Sequence, residues 1–88
     1  MAIELKIPEP FLQRDYEKFN LQLQKLSSKD EEPIAKYRGD MVRAAAICGW
    51  LGEGVTPKDI GDFEAKEVYR VATEITQLFL DLVEVPKN

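Results

Sequence analysis

The chain has 88 residues but no histidine, a single cysteine and a single tryptophan. Without histidine it lacks the usual general base near neutral pH and the commonest transition-metal ligand. Cys48 therefore has no histidine partner for a reactive thiolate pair, and a lone cysteine cannot form an internal disulfide. We expect a buried, structural cysteine in a protein from a reducing compartment that is not an enzyme and holds no metal or cofactor.

Positive charge and long apolar runs are also scarce. The chain has 12 basic and 16 acidic residues and a formal net charge of -4. This balance disfavours binding to nucleic acid, which needs clustered lysine and arginine. No apolar run is long enough to cross a bilayer, and the N-terminus lacks the basic-then-apolar order of a signal peptide. We therefore expect a cytoplasmic protein with no nucleic-acid or membrane partner.

The composition is typical of one globular domain over residues 1–88, since 44% of the residues are hydrophobic and 32% are charged. At its start, apolar and charged residues alternate, which predicts an extended N-terminal strand or arm over residues 1–8. With no second strand evident, this arm either packs on the rest of the domain or pairs with another copy. The apolar members are Ile3, Leu5 and Ile7, and the charged members are Glu4 and Lys6.

The rest of the chain has helical periodicity and predicts a mainly α fold, a small bundle of three main helices with a short helical turn. Polar or proline-containing segments separate the elements, and a short exposed tail ends the chain. The predicted elements are a first helix from about residue 12, a second helix over 31–48, a helical turn over 57–60, a last helix over 63–83 and a tail over 84–88.

Acidic residues crowd around the start of the last helix. Paired carboxylates can act as acid and base or bind a hard cation. These occupy predicted caps and a first helical turn, however, where acids are favoured without any function. We therefore prefer a structural interpretation of Asp59, Asp62, Glu64 and Glu67.

One face of the second helix consists almost entirely of very small residues. A glycine within a helix costs about 1 kcal/mol relative to alanine, so we expect close packing to compensate at Gly39. The face would allow another backbone to approach closely. Its members are Ala35, Gly39, Val42, Ala46 and Gly49.

The last helix has the widest apolar face, with well over half of its circumference apolar or weakly polar. This face is either the centre of the core or, as we favour, also an interface with another copy or a client segment. For Trp50, just past the second helix, packing at the bottom of the core is preferred over a binding hot spot. The candidate protein-interaction residues are Tyr69, Thr73, Thr76, Leu80, Val83 and Trp50.

From residue 44 onward, the order of features resembles the small tail assembly chaperones of long-tailed, siphovirus-type bacteriophages. In that family an alanine-rich helix runs into a Gly-Trp step, an acidic proline-containing turn, a helix with the pattern V-x-x-x-A-x-x-I and a short proline-containing C-terminus. The opening IELKIPEPFLQRDYEKFNLQL also resembles the start of such proteins, so the resemblance covers most of the chain. The matching features are the alanines 44–46, Gly49 and Trp50, Pro57–Asp62, Val68 with Ala72 and Ile75, and Pro86.

The resemblance implies a non-enzymatic protein made in the cytoplasm of the infected bacterial host and not retained in the mature virion. Such a protein coats the long helical tape measure protein, keeps its apolar surfaces from aggregating and helps to recruit tail tube subunits. The expected partners are the tape measure protein, tail tube subunits and further copies of this chain as a homo-oligomer. The alternative is a small phage or mobile-element protein that binds and inhibits a host factor.

Overall fold

The computed structural model describes residues 3–27 and 33–83. These residues form three α-helices and a short 3-10 helix, so the predicted mainly helical fold and its short helical turn are confirmed. Residues 31–32 of the predicted second helix and the predicted tail over 84–88 lie outside the described residues. The elements are α1 (Gln13–Leu26), α2 (Ile34–Ile47), the 3-10 helix (Pro57–Asp62) and α3 (Ala65–Val83).

The central helix is α2, because it packs against α1, against α3 and against the 3-10 helix. Its C-terminal half buries three consecutive alanines, Ala44, Ala45 and Ala46. Because these side chains are short, neighbours can pack around α2 on more than one side. The last helix, α3, contributes Val71 and Ile75 to the same core.

Gly39 is closely packed as expected, but by a side chain of its own helix rather than by another backbone. Gly39 is buried, but the three atoms nearest to a Cβ built there all belong to the Arg43 side chain, the closest at 2.9 Å. Arg43 folds back along α2 over Gly39 and donates to the Asp40 carboxylate at 2.9 Å. Glycine at this position therefore leaves room for an arginine within the same helix.

The predicted N-terminal strand is also wrong, since residues 3–8 form no strand and none occurs in the described part of the chain. A strand needs a ladder of backbone hydrogen bonds with a neighbour. Among the described residues, this segment makes one such bond, from the Lys6 N–H to the Trp50 carbonyl at 2.7 Å. The alternation still sorts the side chains, because Ile3 is buried in the core while Glu4 and Lys6 are exposed.

The end of α2 explains where the only tryptophan lies. After the C-cap Cys48, Gly49 takes a φ of 84°, which an L side chain rarely adopts. The Gly49 N–H donates to the Ala46 carbonyl at 3.0 Å, and the Trp50 N–H donates to the Ala45 carbonyl at 2.9 Å. This pair of bonds is the Schellman motif, in which the residue after the glycine turns back onto the helix. The turn therefore carries the Trp50 side chain into the core.

Trp50 packs within a cluster of aromatic rings. Its ring lies parallel to Phe19 of α1, with centroids 5.0 Å apart, and meets Phe11 edge-on at 5.5 Å. Phe79 of α3 packs edge-on against Phe19 at 5.1 Å, so the cluster joins α1 and α3 across the turn. Trp50 is only 3% exposed, which confirms the preferred packing role.

The turn after Gly54 shows why acids gather before the last helix. The Thr56 N–H and hydroxyl both donate to one Asp59 carboxylate oxygen, at 2.9 and 3.1 Å, and this fixes the start of the 3-10 helix. The predicted structural role of Asp59 is therefore confirmed. No helix within residues 3–27 and 33–83 is both long and apolar enough to cross a membrane.

Candidate functional site

The structure places four of the predicted interaction residues on one exposed face of α3. Tyr69, Thr73, Thr76 and Leu80 follow each other at intervals of three or four residues, and all four are exposed. We call these four residues the α3 strip. The side chain of Val83, the fifth predicted member, lies outside the described residues. Their interaction with a partner remains a prediction.

The α3 strip is less polar than its residue types suggest. The Thr73 hydroxyl donates to the Tyr69 carbonyl at 2.8 Å, and the Thr76 hydroxyl donates to the Ala72 carbonyl at 2.9 Å. Both hydroxyl protons are therefore used within the helix. A partner on this face meets two large exposed side chains, Tyr69 and Leu80, with threonines between them.

Trp50 does not belong to this surface. Its side chain is buried against Phe19 and Phe11, and it offers no exposed area to a binding partner. We therefore remove Trp50 from the candidate interaction residues. The pattern that suggested a hot spot, an aromatic residue in a glycine-rich turn, could not reveal which way the ring points.

The structure also shows a cleft that the sequence did not indicate. It is open to solvent, has a volume of about 830 Å³ and lies between the first half of α2, the 3-10 helix and the start of α3. Tyr69 of the α3 strip forms part of its wall, so the two features are continuous. The other lining residues are Leu26, Ala35, Lys36, Arg38, Gly39, Asp40, Arg43, Ile60, Gly61, Phe63, Ala65 and Val68.

A buried carboxylate, Asp40, lies at this cleft. Its burial was not predicted from the sequence. Asp40 is 2% exposed and accepts hydrogen bonds from Lys36 at 2.8 Å and from Arg43 at 2.9 Å. A buried carboxylate is tolerated when it is paired and hydrogen-bonded in this way. One signal in the sequence could have predicted these two salt bridges. Asp40 lies four residues after Lys36 and three before Arg43, so all three share one face of α2.

Arg38 connects the cleft to the α3 strip. Its guanidinium lies 4.5 Å from the centre of the Tyr69 ring, a cation–π contact. Among the described residues, Arg38 makes no ion pair with a carboxylate. Its charge is therefore available at the cleft, next to an exposed aromatic ring.

On α3, Glu67 and Arg70 hold the N-terminal segment by its backbone. A Glu67 carboxylate oxygen accepts the Ile3 N–H at 3.2 Å, and Arg70 donates to the Ile3 carbonyl and, at 2.9 Å, to Glu67. The hydrogen bond from Arg70, and then that from the Ile3 N–H, lower the pKa of Glu67 below its ordinary value of 4.5. Glu67 therefore has a second role besides its favourable position in the first turn of α3, because it binds the backbone of the N-terminal segment.

We predict that Glu67→Gln weakens the attachment of residues 3–8 at neutral pH. Because the folded-state pKa of Glu67 is lowered, its stabilising effect is present above the unfolded value of 4.5 and is lost as pH falls through the folded value. The variant should melt a few degrees below wild type at neutral pH, and the two should converge in acid. Hydrogen exchange at the Ile3 amide should be faster in the variant.

The matched control is Glu74→Gln, because Glu74 also pairs with Arg70, at 2.7 Å, without contacting Ile3. This control should leave the exchange of the Ile3 amide unchanged. Equal exchange rates in all three proteins would contradict the role assigned to Glu67.

Cys48 is partly buried rather than fully buried as predicted, and its thiol still has the properties of a structural group. Burial raises its pKa above the ordinary value of 9.0, while Lys18 lowers it and Asp15 raises it by smaller amounts. The thiol is therefore protonated at neutral pH and poorly nucleophilic. Within the described residues, no group of three or more acidic, cysteine or histidine side chains is placed to hold a metal ion.

The remaining surface is rich in large apolar side chains. Besides the α3 strip, large exposed side chains occur on both α1 and α2. Exposed apolar side chains mark an interaction site when they lie together in one patch. The large exposed apolar side chains are Leu12, Leu21, Ile34, Tyr37, Ile47, Tyr69, Leu80 and Leu82.

No protein-family model, no curated protein and no solved structure matches this chain.

Proposed function

We propose that this chain is a non-enzymatic phage tail assembly chaperone that binds the tape measure protein and supports assembly of the tail tube. The observation that carries the proposal is the α3 strip, an exposed face with two large apolar side chains, on a helix whose opposite side is buried in the core. The resemblance of the sequence to that family supplies the identity of the client.

The α3 strip is suited to a helical client. Tyr69, Thr73, Thr76 and Leu80 repeat at the three- and four-residue spacing with which one helix packs against another. A tape measure protein is long and helical, and its apolar face would aggregate if left uncovered. Packing that face against the α3 strip removes apolar area of both chains from water.

The charge of the chain suits a solubilising role. A net charge of -4 favours the solubility of the free protein and of the client that it covers. We further propose that several copies associate along one client in the cytoplasm of the infected host and recruit tail tube subunits. The copies then leave, so that none remains in the mature virion.

The test is co-expression of the chain with its tape measure protein. We expect wild type to bring an otherwise insoluble tape measure protein into the soluble fraction. Leu80→Asp should lose most of this activity while remaining folded, because it replaces one of the two large side chains of the α3 strip by a charge. Far-UV circular dichroism establishes that the variant is folded.

Leu21→Asp is the matched control, since Leu21 lies on α1 and is 50% exposed, close to the 54% of Leu80. It should rescue the client as wild type does. A tape measure protein that stays insoluble with wild type would contradict the proposal. If wild type instead formed a discrete complex with one host protein, the inhibitor alternative would replace it.

A further inference from the structure

The cleft beside Asp40 is open to solvent and lies where α2, the 3-10 helix and α3 meet. Its floor and walls are largely apolar, with Ile60, Phe63, Val68 and Tyr69 among them, and its α2 side carries three cations. Asp40 is the single acid among the described residues that line it, and it is already paired. Among its described lining residues, the cleft therefore combines an apolar surface with the guanidinium of Arg38, which makes no ion pair with a described carboxylate.

The other end of α3 has the opposite character. Leu80 and Leu82 are both exposed there, and Asp81 lies between them with an exposed side chain. Between Arg70 and Lys87 the sequence has no basic residue, and the last turn of α3 contains none. This end therefore presents apolar side chains together with negative charge, the complement of the cleft.

The two surfaces cannot meet within one molecule. Tyr69 at the cleft and Leu80 near the other end lie on the same helix, eleven residues and about 16 Å apart along its axis. An α-helix of this length does not fold back on itself. Contact between the cleft and this helix end therefore requires two molecules.

We propose that the C-terminal end of α3, with Leu80, Asp81 and Leu82, docks into the cleft of a second copy beside Arg38 and Tyr69. Leu80 enters the apolar cleft, and Asp81, the next residue of the helix, lies against the cationic α2 side. The inference rests on the proposed self-association and specifies which surfaces form it.

Such a contact is heterologous, because different surfaces of the two copies meet. Each added copy keeps one free cleft and one free helix end, so the contact repeats into a ring or an open helical array rather than stopping at a dimer.

The experiment mixes two variants with different blocked surfaces. Arg38→Glu reverses the charge at the cleft and leaves the helix end intact, whereas Leu80→Asp blocks the helix end and leaves the cleft intact. Light scattering after size-exclusion chromatography should find wild type in larger assemblies and each variant alone as a monomer. An equimolar mixture should give a dimer and nothing larger, because only one contact remains possible.

Two control variants make the same substitutions, arginine to glutamate and leucine to aspartate, on a surface outside the proposed contact. Arg14→Glu and Leu21→Asp alter exposed residues of α1, and both should assemble as wild type does. Assembly of Arg38→Glu alone, or a mixture of folded variants that stays monomeric, would overturn the head-to-tail contact. Rescue of the tape measure protein is scored separately, so the chaperone proposal can fail while this contact stands, and the reverse.

Discussion

Replacing Ile75 by aspartate is expected to abolish cooperative folding at neutral pH. Ile75 is fully buried in the middle of α3, within the single core that α1, α2 and α3 share. The change loses the burial of a large side chain and places a carboxylate where no partner is available, at a combined cost of about 5 kcal/mol or more. Small domains have total stabilities of that order, so the folded state should no longer be populated.

Aspartate substitutions at Phe79 and Leu80 should differ in their effect on stability, because Phe79 packs in the core and Leu80 faces solvent. Phe79 packs against Tyr16 at 5.3 Å and against Phe19 at 5.1 Å, so Phe79→Asp should also unfold the chain. Leu80→Asp should remain folded, because the Leu80 side chain faces solvent. Far-UV circular dichroism and thermal unfolding decide this, and loss of helicity in Leu80→Asp would show that its face belongs to the core.

Trp50→Ala is expected to give the second largest effect, a loss of about 3–5 kcal/mol of unfolding free energy. The indole fills the space between α1 and the turn after α2, stacked on Phe19 with the ring planes within 7°. Removing it leaves a cavity lined by other aromatic rings and takes away the apolar contact that the Schellman turn directs inward. Urea unfolding followed by circular dichroism should show a much lower midpoint.

Two further variants, Trp50→Phe and Tyr37→Ala, test whether the stability lost in Trp50→Ala comes from lost packing of the Trp50 ring. Phenylalanine retains most of the ring contact, so Trp50→Phe should lose clearly less stability than Trp50→Ala. Tyr37 is an exposed aromatic residue on α2, and its truncation should cost well under about 1 kcal/mol. If Trp50→Ala unfolded at the urea midpoint of wild type, the ring would not be part of the core.

The helices could be predicted from the sequence because their apolar periodicity is long and regular. Local signals also located the turns, since Asp59 lies in a helix cap as predicted and Gly49 follows the end of α2. Both depend on residues close together in the chain. The exposed α3 strip followed from the same periodicity, because the face of α3 is wider than the core needs.

The features that were missed depend on contacts between distant residues or on side-chain direction. Alternation at the N-terminus sorted its side chains correctly, but the segment is held by Glu67 and Arg70 on α3 instead of by a strand. The space beside Gly39 is occupied by the Arg43 side chain and not by the backbone of another element. The cleft exists only because α2, the 3-10 helix and α3 meet around it, which no local pattern specifies.

Sedimentation velocity of the wild-type chain over a wide range of concentrations tests most directly whether the exposed apolar face of this folded body serves to bind other polypeptides. We predict that the sedimentation coefficient of wild type rises with concentration and that a tape measure segment sediments with it, while folded Leu80→Asp remains a monomer alone. A wild-type chain that sediments as a monomer at every concentration, and leaves the tape measure segment unbound, would contradict the account.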